Sequence, residues 1–90
     1  MKKTIITVVG QDKVGIIAKV CNYLASNNIN IMDIAQTTVQ GYFNMMMVVD
    51  ANNAVKSHDE IASELESVGR EIGVQIKAQR EEIFDMMHRI

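Results

Sequence analysis

The pattern of hydrophobic and polar positions predicts strands and helices along the whole chain. Residues 2–9 are rich in β-branched residues and predict a first strand. The apolar residues that follow recur with the period of an amphipathic helix, which we place over residues 13–27. They are Ile17, Val20, Cys21 and Leu24. Asn27 and Asn28 form a turn signal that ends this helix.

The middle of the chain predicts a β-hairpin. Residues 29–39 indicate a long strand in which the alternation of apolar residues shifts by one position near Asp33. A β-bulge at that point restores the alternation. Gln40 and Gly41 predict a short reversal, and residues 42–50 predict the returning strand.

The second half of the chain predicts a capped helix and a short strand. Ser57 followed by Glu60 has the form of a capping box, with Ser at the N-cap and Glu three residues later. Gly73 predicts the end of the helix, and residues 74–78 predict a last strand. The stripe that we expect to be buried consists of Ile61, Leu65, Val68 and Ile72.

The order strand, helix, strand, strand, helix, strand predicts an α+β fold. With right-handed crossovers it gives a ferredoxin-like βαββαβ sandwich, in which a four-stranded antiparallel sheet carries both helices on one face. We assign residues 1–79 to this domain. Residues 80–90 predict an added amphipathic helix. Its apolar positions are Ile83, Met86, Met87 and Ile90.

The strands are apolar on both faces, although two helices cover only one face of a sheet. In the third strand Met46 and Val48 point away from the face that carries Phe43, Met45 and Met47. An antiparallel sheet with a solvated back alternates apolar and polar residues instead. We therefore expect a homodimer or a higher homo-oligomer, unless the C-terminal helix folds back onto its own sheet. The predicted interface consists of Met46, Val48, Ile83, Met86, Met87 and Ile90.

Composition and charge exclude several classes of protein. The 90 residues carry a net charge of −2 with scattered basic residues, which argues against a nucleic-acid partner. No apolar run approaches the ~20 residues that cross a bilayer, and the N-terminus has no signal-peptide pattern. We expect a cytoplasmic protein without a membrane partner. Cys21 is the only cysteine, so no internal disulfide forms.

The residues that usually carry catalysis are not grouped in this sequence. His58 and His88 have no metal-ligating residue at a suitable spacing, and we expect both to be solvated. No Ser–His–Asp set, phosphate-binding loop or dinucleotide-binding turn is found. Three other classes of protein share this topology. A copper chaperone would need a CxxC pair in the first loop, and an acylphosphatase would need an anion-binding Arg there; this loop has neither. An RNA-recognition domain would need stacking aromatic residues on its central strands, and the first strand has none. We expect no enzyme, no cofactor and no metal.

The turn between the first strand and the first helix is the best candidate for a binding site. Gly10 and Gly15 bound it, and Asp12 is a candidate N-cap. A strand–turn–helix connection of this kind exposes backbone N–H groups and the positive end of a helix dipole, which suit a carboxylate. The alternative is a tight connection that binds no ligand.

Two segments resemble the ACT domain family of small regulatory modules. The first is Asp12-Lys13-Val14-Gly15-Ile16-Ile17, which is similar to the D-x-x-G-hydrophobic turn of that family. The second is the strand entry Asn28-Ile29-Asn30-Ile31. The resemblance covers residues 4–79. It is closer still to small stand-alone ACT proteins and to the glycine-cleavage-system repressor-like group, which carry no attached enzyme.

The resemblance implies a function and a set of site residues. It implies a ferredoxin-like fold that dimerises and holds an amino acid or a similar effector at the dimer interface, without catalysis. The ligand contacts implied by the family are Gly10, Gln11, Asp12, Gly15, Asn30 and Ile31. The domain would act by changing its assembly or by touching a regulated protein. The alternative is an interaction module that keeps the ACT fold and has lost the ligand.

Overall fold

The computed structural model describes residues 3–11 and 15–82. They form four strands and two helices in the predicted order. The elements are β1 (Lys3–Gln11), α1 (Ile16–Ser26), β2 (Asn30–Val39), β3 (Tyr42–Asp50), α2 (His58–Ile72) and β4 (Val74–Arg80). None of the helices in these residues is long and apolar enough to cross a membrane.

The four strands form one antiparallel sheet in the order β2-β3-β1-β4. β1 lies inside the sheet between β3 and β4, and β2 lies at one edge. The helices cover one face of the sheet, so the predicted ferredoxin-like α+β fold is confirmed. The core between sheet and helices includes Ile6, Val8, Met45, Met47, Val20, Leu24 and Leu65, all without exposed surface.

The β2–β3 hairpin has the predicted bulge and turn. The pairing of the two strands shifts between Ile31 and Asp33, so Met32 is the extra residue. Gln40 and Gly41 both have positive φ angles, 50° and 83°. Two such residues in succession connect strands through a turn whose twist matches that of the sheet. The hairpin therefore follows directly from its local sequence.

α1 begins three residues later than predicted, and this changes which residues it buries. The helix starts at Ile16 because Gly15, with φ 90°, has the left-handed backbone conformation. Ile16, Val20 and Leu24 form the buried stripe, at a spacing of four residues. Ile17, which the pattern placed in that stripe, is 37% exposed.

α2 has the predicted start and end. The Ser57 hydroxyl accepts a hydrogen bond from the Glu60 backbone N–H at 3.3 Å, and the Glu60 carboxylate accepts one from the Ser57 N–H at 3.2 Å. This confirms the capping box. Gly73 ends the helix with φ 77°. β4 then runs to Arg80, two residues further than predicted.

The sheet is apolar on both faces, as the sequence predicts. In β1, Ile6 and Val8 point to the helices and are fully buried. On the opposite face Ile5 is 5% exposed and Val9 is 46% exposed. The back of the sheet is thus closed near Ile5 and open near Val9.

Candidate functional site

The turn after β1 is built around two glycines, and Gly15 is the N-cap of α1. Its φ of 90° and ψ of 0° direct the chain into the helix only from Ile16 onward, and no side-chain hydrogen bond caps this end. Gly15 therefore takes the capping position that the sequence assigned to Asp12. Asp12 itself lies outside the described residues.

Gly10 has a structural reason to be glycine. A Cβ atom at this position would lie 2.7 Å from Cγ1 of Val74 and 3.2 Å from its Cα, because β4 passes close to β1 here. At Gly15, by contrast, a Cβ would meet nothing within 4 Å. The packing of β4 thus explains Gly10 without a ligand, whereas the space beside Gly15 is open.

The predicted site residues fall into two groups at opposite ends of the sheet. Asn30 and Ile31 begin β2, where Asn30 lies opposite Asp50 of β3 and Asp50 lies opposite Lys3 of β1. Gly10 is seven residues further along β1 than Lys3, which corresponds to about 24 Å at ~3.4 Å per residue. One chain therefore brings Gly10, together with its neighbour Gln11, to one end and Asn30 to the other.

A polar cavity of about 220 Å³ opens beside Asn30. It is lined by Ala25, Asn28, Ile29, Asn30, Asp50 and Asn53. The Asn28 side-chain amide donates a hydrogen bond to the Asn53 backbone carbonyl at 3.0 Å, and Oδ1 of Asp50 accepts one from the Asn52 backbone N–H at 2.9 Å. The cavity is a small space with a hydrogen-bonded wall.

Sequence reasoning missed Asp50 and Asn53 as members of this cavity. Both were assigned only to the end of a strand and to a turn. The hairpin register places Asp50 opposite Asn30, although the two are 20 positions apart in the sequence. The one signal available was the cluster of asparagines in the two turns that flank the hairpin.

A second cavity, of about 810 Å³, lies between the start of α2 and the ends of β1 and β4. The lysines that line it already have acidic partners: Lys3 Nζ lies 4.0 Å from Glu81 and Lys56 Nζ lies 2.7 Å from Glu64. His58 also lines it and is half-buried, not solvated as the sequence suggested. Burial lowers the pKa of His58, and the positive charge of Arg80 lowers it further.

Residues 3–11 and 15–82 contain no group of three or more His, Cys, Asp or Glu side chains that could hold a metal ion. His88 lies outside these residues. The polar groups of the candidate site are side-chain amides, one carboxylate and backbone groups. They suit the binding of a small polar molecule by hydrogen bonds.

The family model that matches this chain is that of the ACT domain, and it matches residues 2–79. The match spans both glycines of the turn and all four strands except Arg80, the last residue of β4. The chain belongs to the ACT domain family.

Relatives of this ACT domain include proteins of the same length. It is 60% identical to a UPF0237 protein of Bifidobacterium longum over 90 residues, which is all of both chains. The structure of an ACT domain protein from Streptococcus pneumoniae superposes with a TM-score of 0.81 at 40% identity, covering 93% of this chain and 94% of that one.

Two further solved structures share the fold of this ACT domain. The regulatory subunit of aspartate kinase from Thermus thermophilus has a TM-score of 0.66 at 29% identity, and the match covers 87% of this chain and 50% of that one. A candidate glycine cleavage system transcriptional repressor has a TM-score of 0.75 at 20% identity, over 88% of this chain and 45% of that one, which shows a shared fold. The matched family is regulatory, and no catalytic family is indicated.

The predicted interface of this ACT domain is only partly described. Met46 is 41% exposed and Val48 is half-buried, both on the face of the sheet opposite the helices. The other four members, Ile83, Met86, Met87 and Ile90, lie outside the described residues. A more extensive exposed apolar surface lies on β2, all of whose ten residues are exposed. The sequence pattern did not single out this edge.

Proposed function

We propose that this ACT domain is a non-catalytic regulatory domain that dimerises through β2 and binds an amino acid or a similar small effector at the dimer interface. Binding would change the assembly of the domain or its contact with a regulated protein. The observation that carries the proposal is the exposed apolar edge strand. It supports a dimer. In that dimer the Gly10–Gly15 turn of one subunit and Asn30 of the partner subunit would come to the same end of the sheet.

Apart from the bulge at Met32, β2 lacks the features that normally protect an edge strand from pairing. Protected edges carry lysines, prolines or inward-pointing charges, or they are short. β2 has ten residues, of which Asp33 alone is charged, and it contains no proline. Its large apolar side chains are open to solvent. The exposed fractions are 36% for Ile31, 44% for Met32, 44% for Ile34 and 61% for Val39.

A second copy of the chain fits this edge. If β2 pairs along its full length with β2 of a partner related by a twofold axis, the two strands run antiparallel. Asn30 then lies opposite Val39 of the partner subunit, and Asp33 lies opposite Gln36 of the partner subunit. The only charge on the edge therefore does not meet its own copy, and at the centre of the edge Ile34 lies opposite Ala35 of the partner subunit.

The same pairing supports a composite binding site. Val39 lies opposite Tyr42 of β3, and Tyr42 lies opposite Gln11 of β1, so Val39 is at the end of the sheet that carries the Gly10–Gly15 turn. Asn30 of the partner subunit would come to that end. It would be three strand spacings, about 14 Å, from β1, a gap that the turn, side chains and a small effector can fill.

A thermal-shift screen of the twenty amino acids tests the proposal. We expect at least one amino acid to raise the melting temperature, because a ligand at 100 times its dissociation constant adds about 2.7 kcal/mol to the free energy of unfolding. Asn30→Ala should abolish the shift. Asn22→Ala is the matched control, since Asn22 is also an exposed asparagine but lies on α1 and not on the sheet.

Two outcomes would contradict the proposed function. One is the absence of a shift with every amino acid, which would favour an interaction module without a ligand. The other is a shift that Asn30→Ala leaves unchanged.

A further inference from the structure

The cavity beside Asn30 has the electrostatics of a cation site. Its polar lining consists of the Asp50 carboxylate and three asparagines, and none of its lining residues is basic. It lies at the C-terminal end of α1, to which Ala25 belongs, and the last turn of α1 carries no basic residue. Because the C-terminal end of a helix dipole is negative, it adds to the charge of Asp50 in favouring a cation.

Asp50 keeps most of its hydrogen-bonding capacity for a ligand. It is half-buried, and Oδ1 accepts one hydrogen bond, from the Asn52 backbone N–H. The ion pairs among the described residues join other side chains and leave Asp50 out. An ionised carboxylate has about four acceptor positions on its two oxygens. Asp50 therefore retains acceptor positions next to the cavity.

The asparagines of the cavity complete an acceptor set. The Asn28 side-chain N–H is used by the Asn53 carbonyl, so the amide oxygen of Asn28 is the part left for a ligand. Asn30 lies opposite Asp50 across the hairpin, and its side chain is exposed. Ca²⁺ is a poor match, since it takes about six to eight oxygen ligands. A group with one positive charge and several N–H donors fits one carboxylate and two amides.

We infer that this cavity binds the primary ammonium group of the effector, with Asp50 as its main acceptor and with Asn28 and Asn30 as further acceptors. The assignment of this ammonium group to a regulatory effector rests on the proposed function. The effector class is then a primary amine, and effectors without an ammonium group are excluded from this cavity.

Nuclear magnetic resonance of the isotope-labelled protein tests the inference with methylammonium chloride as the probe. We expect methylammonium to shift the backbone amide signals of residues 28–30 and 50–53. Tetramethylammonium chloride at the same concentration is the control, because it has the same charge without N–H donors. Asp50→Asn keeps the acceptor for the Asn52 N–H and removes the charge, so we expect methylammonium to bind about tenfold more weakly to it. Asp33→Asn, on the exposed edge strand, should bind as the unchanged protein does.

The inference is wrong if methylammonium shifts these signals no more than tetramethylammonium does, or if Asp50→Asn binds it as tightly as the unchanged protein. Different outcomes distinguish failure of the ammonium site from failure of the proposed function. An amino acid that stabilises the unchanged protein and the Asp50→Asn variant equally would uphold the proposed function and overturn the ammonium site. Methylammonium bound at the cavity, with no stabilising amino acid, would uphold the ammonium site and overturn the proposed function.

Discussion

Glu64 joins three parts of the fold through hydrogen bonds. Its Oε1 accepts one from the Tyr23 hydroxyl at 2.7 Å, which ties α2 to α1. Lys56, in the segment before α2, donates to both oxygens at 2.7 Å and 2.9 Å. The Lys56 hydrogen bond lowers the pKa of Glu64, and the Tyr23 hydrogen bond lowers it further. Burial raises the pKa of Tyr23 above its ordinary value of 10.0, and the negative charge of Glu64 raises it again.

These shifts predict how the Tyr23 contact responds to pH. Because the pKa of Tyr23 is raised in the folded state, its stabilisation is complete below pH 10 and is lost as the pH rises above that value. Tyr23→Phe should cost about 1 kcal/mol of unfolding free energy at pH 7 and should remove most of the alkaline loss. Denaturant titrations between about pH 7 and pH 11, a range that includes the ordinary pKa of tyrosine, measure both effects.

The matched control is Tyr42→Phe, because Tyr42 is 61% exposed on β3. This variant should keep the alkaline loss. If Tyr23→Phe shows the same pH profile as the unchanged protein, the contact with Glu64 does not stabilise the fold. At acid pH the sign is opposite: Glu64 has a lowered pKa, so its contribution is present above the ordinary value of 4.5 and is lost as the pH falls below it.

For individual residues, the sequence predicted contacts between residues close together in the chain and missed contacts between residues far apart in the chain. The Ser57–Glu60 capping box was predictable because three residues separate its partners and the pattern is specific. The contact of Tyr23 with Glu64 spans 41 positions, and the pairing of Asn30 with Asp50 depends on the hairpin register. Neither leaves a local pattern, so the sequence did not predict the Asp50 cavity.

Among the elements, α2 and β4 make an unusually close contact at Gly69. A Cβ atom on Gly69 would lie 2.7 Å from the Val74 backbone oxygen and 3.0 Å from Cγ1 of Ile76. Both atoms belong to β4, and the nearer one is backbone that cannot rotate away. Gly69 thus sets how closely the helix packs on the strand.

Gly69→Ala should destabilise the protein although alanine is the better helix former. Helix propensity alone favours alanine by about 1 kcal/mol. The overlap with β4 forces the helix and strand apart, which we expect to cost more and to leave a net loss of about 1–3 kcal/mol. Chemical denaturation measures the change. Ser63→Ala, at an exposed position of the same helix, should stay within about 0.5 kcal/mol of the unchanged protein. A Gly69→Ala protein as stable as the unchanged one would contradict this packing.

The order and type of the elements were predictable because each carries its own hydrophobic period and end signals. The start of α1 was not, since the pattern does not reveal that Gly15 has a positive φ. That single backbone angle moved the helix start to Ile16 and turned Ile17 toward solvent.

At the scale of the whole molecule, charge is distributed unevenly. Between residues 25 and 49 Asp33 is the only charged residue, although 22% of the chain is charged. This stretch includes all of β2, the exposed edge of the sheet. The sequence predicted an oligomer from the two-sided strands, and the sheet order adds that an uncharged apolar strand is the one left at the edge. Sequence alone does not give the strand order, so it did not predict this surface.

Sedimentation velocity at micromolar protein concentration tests the dimer through β2 most directly. The unchanged protein should sediment as a dimer, and Ile34→Lys should sediment as a folded monomer because a charge enters the centre of the edge. Val55→Lys is the matched control, since Val55 is also an exposed apolar residue, at 70%, but lies outside β2. It should remain dimeric. A monomeric unchanged protein, or an Ile34→Lys variant that dimerises as well as the unchanged protein, would contradict the account.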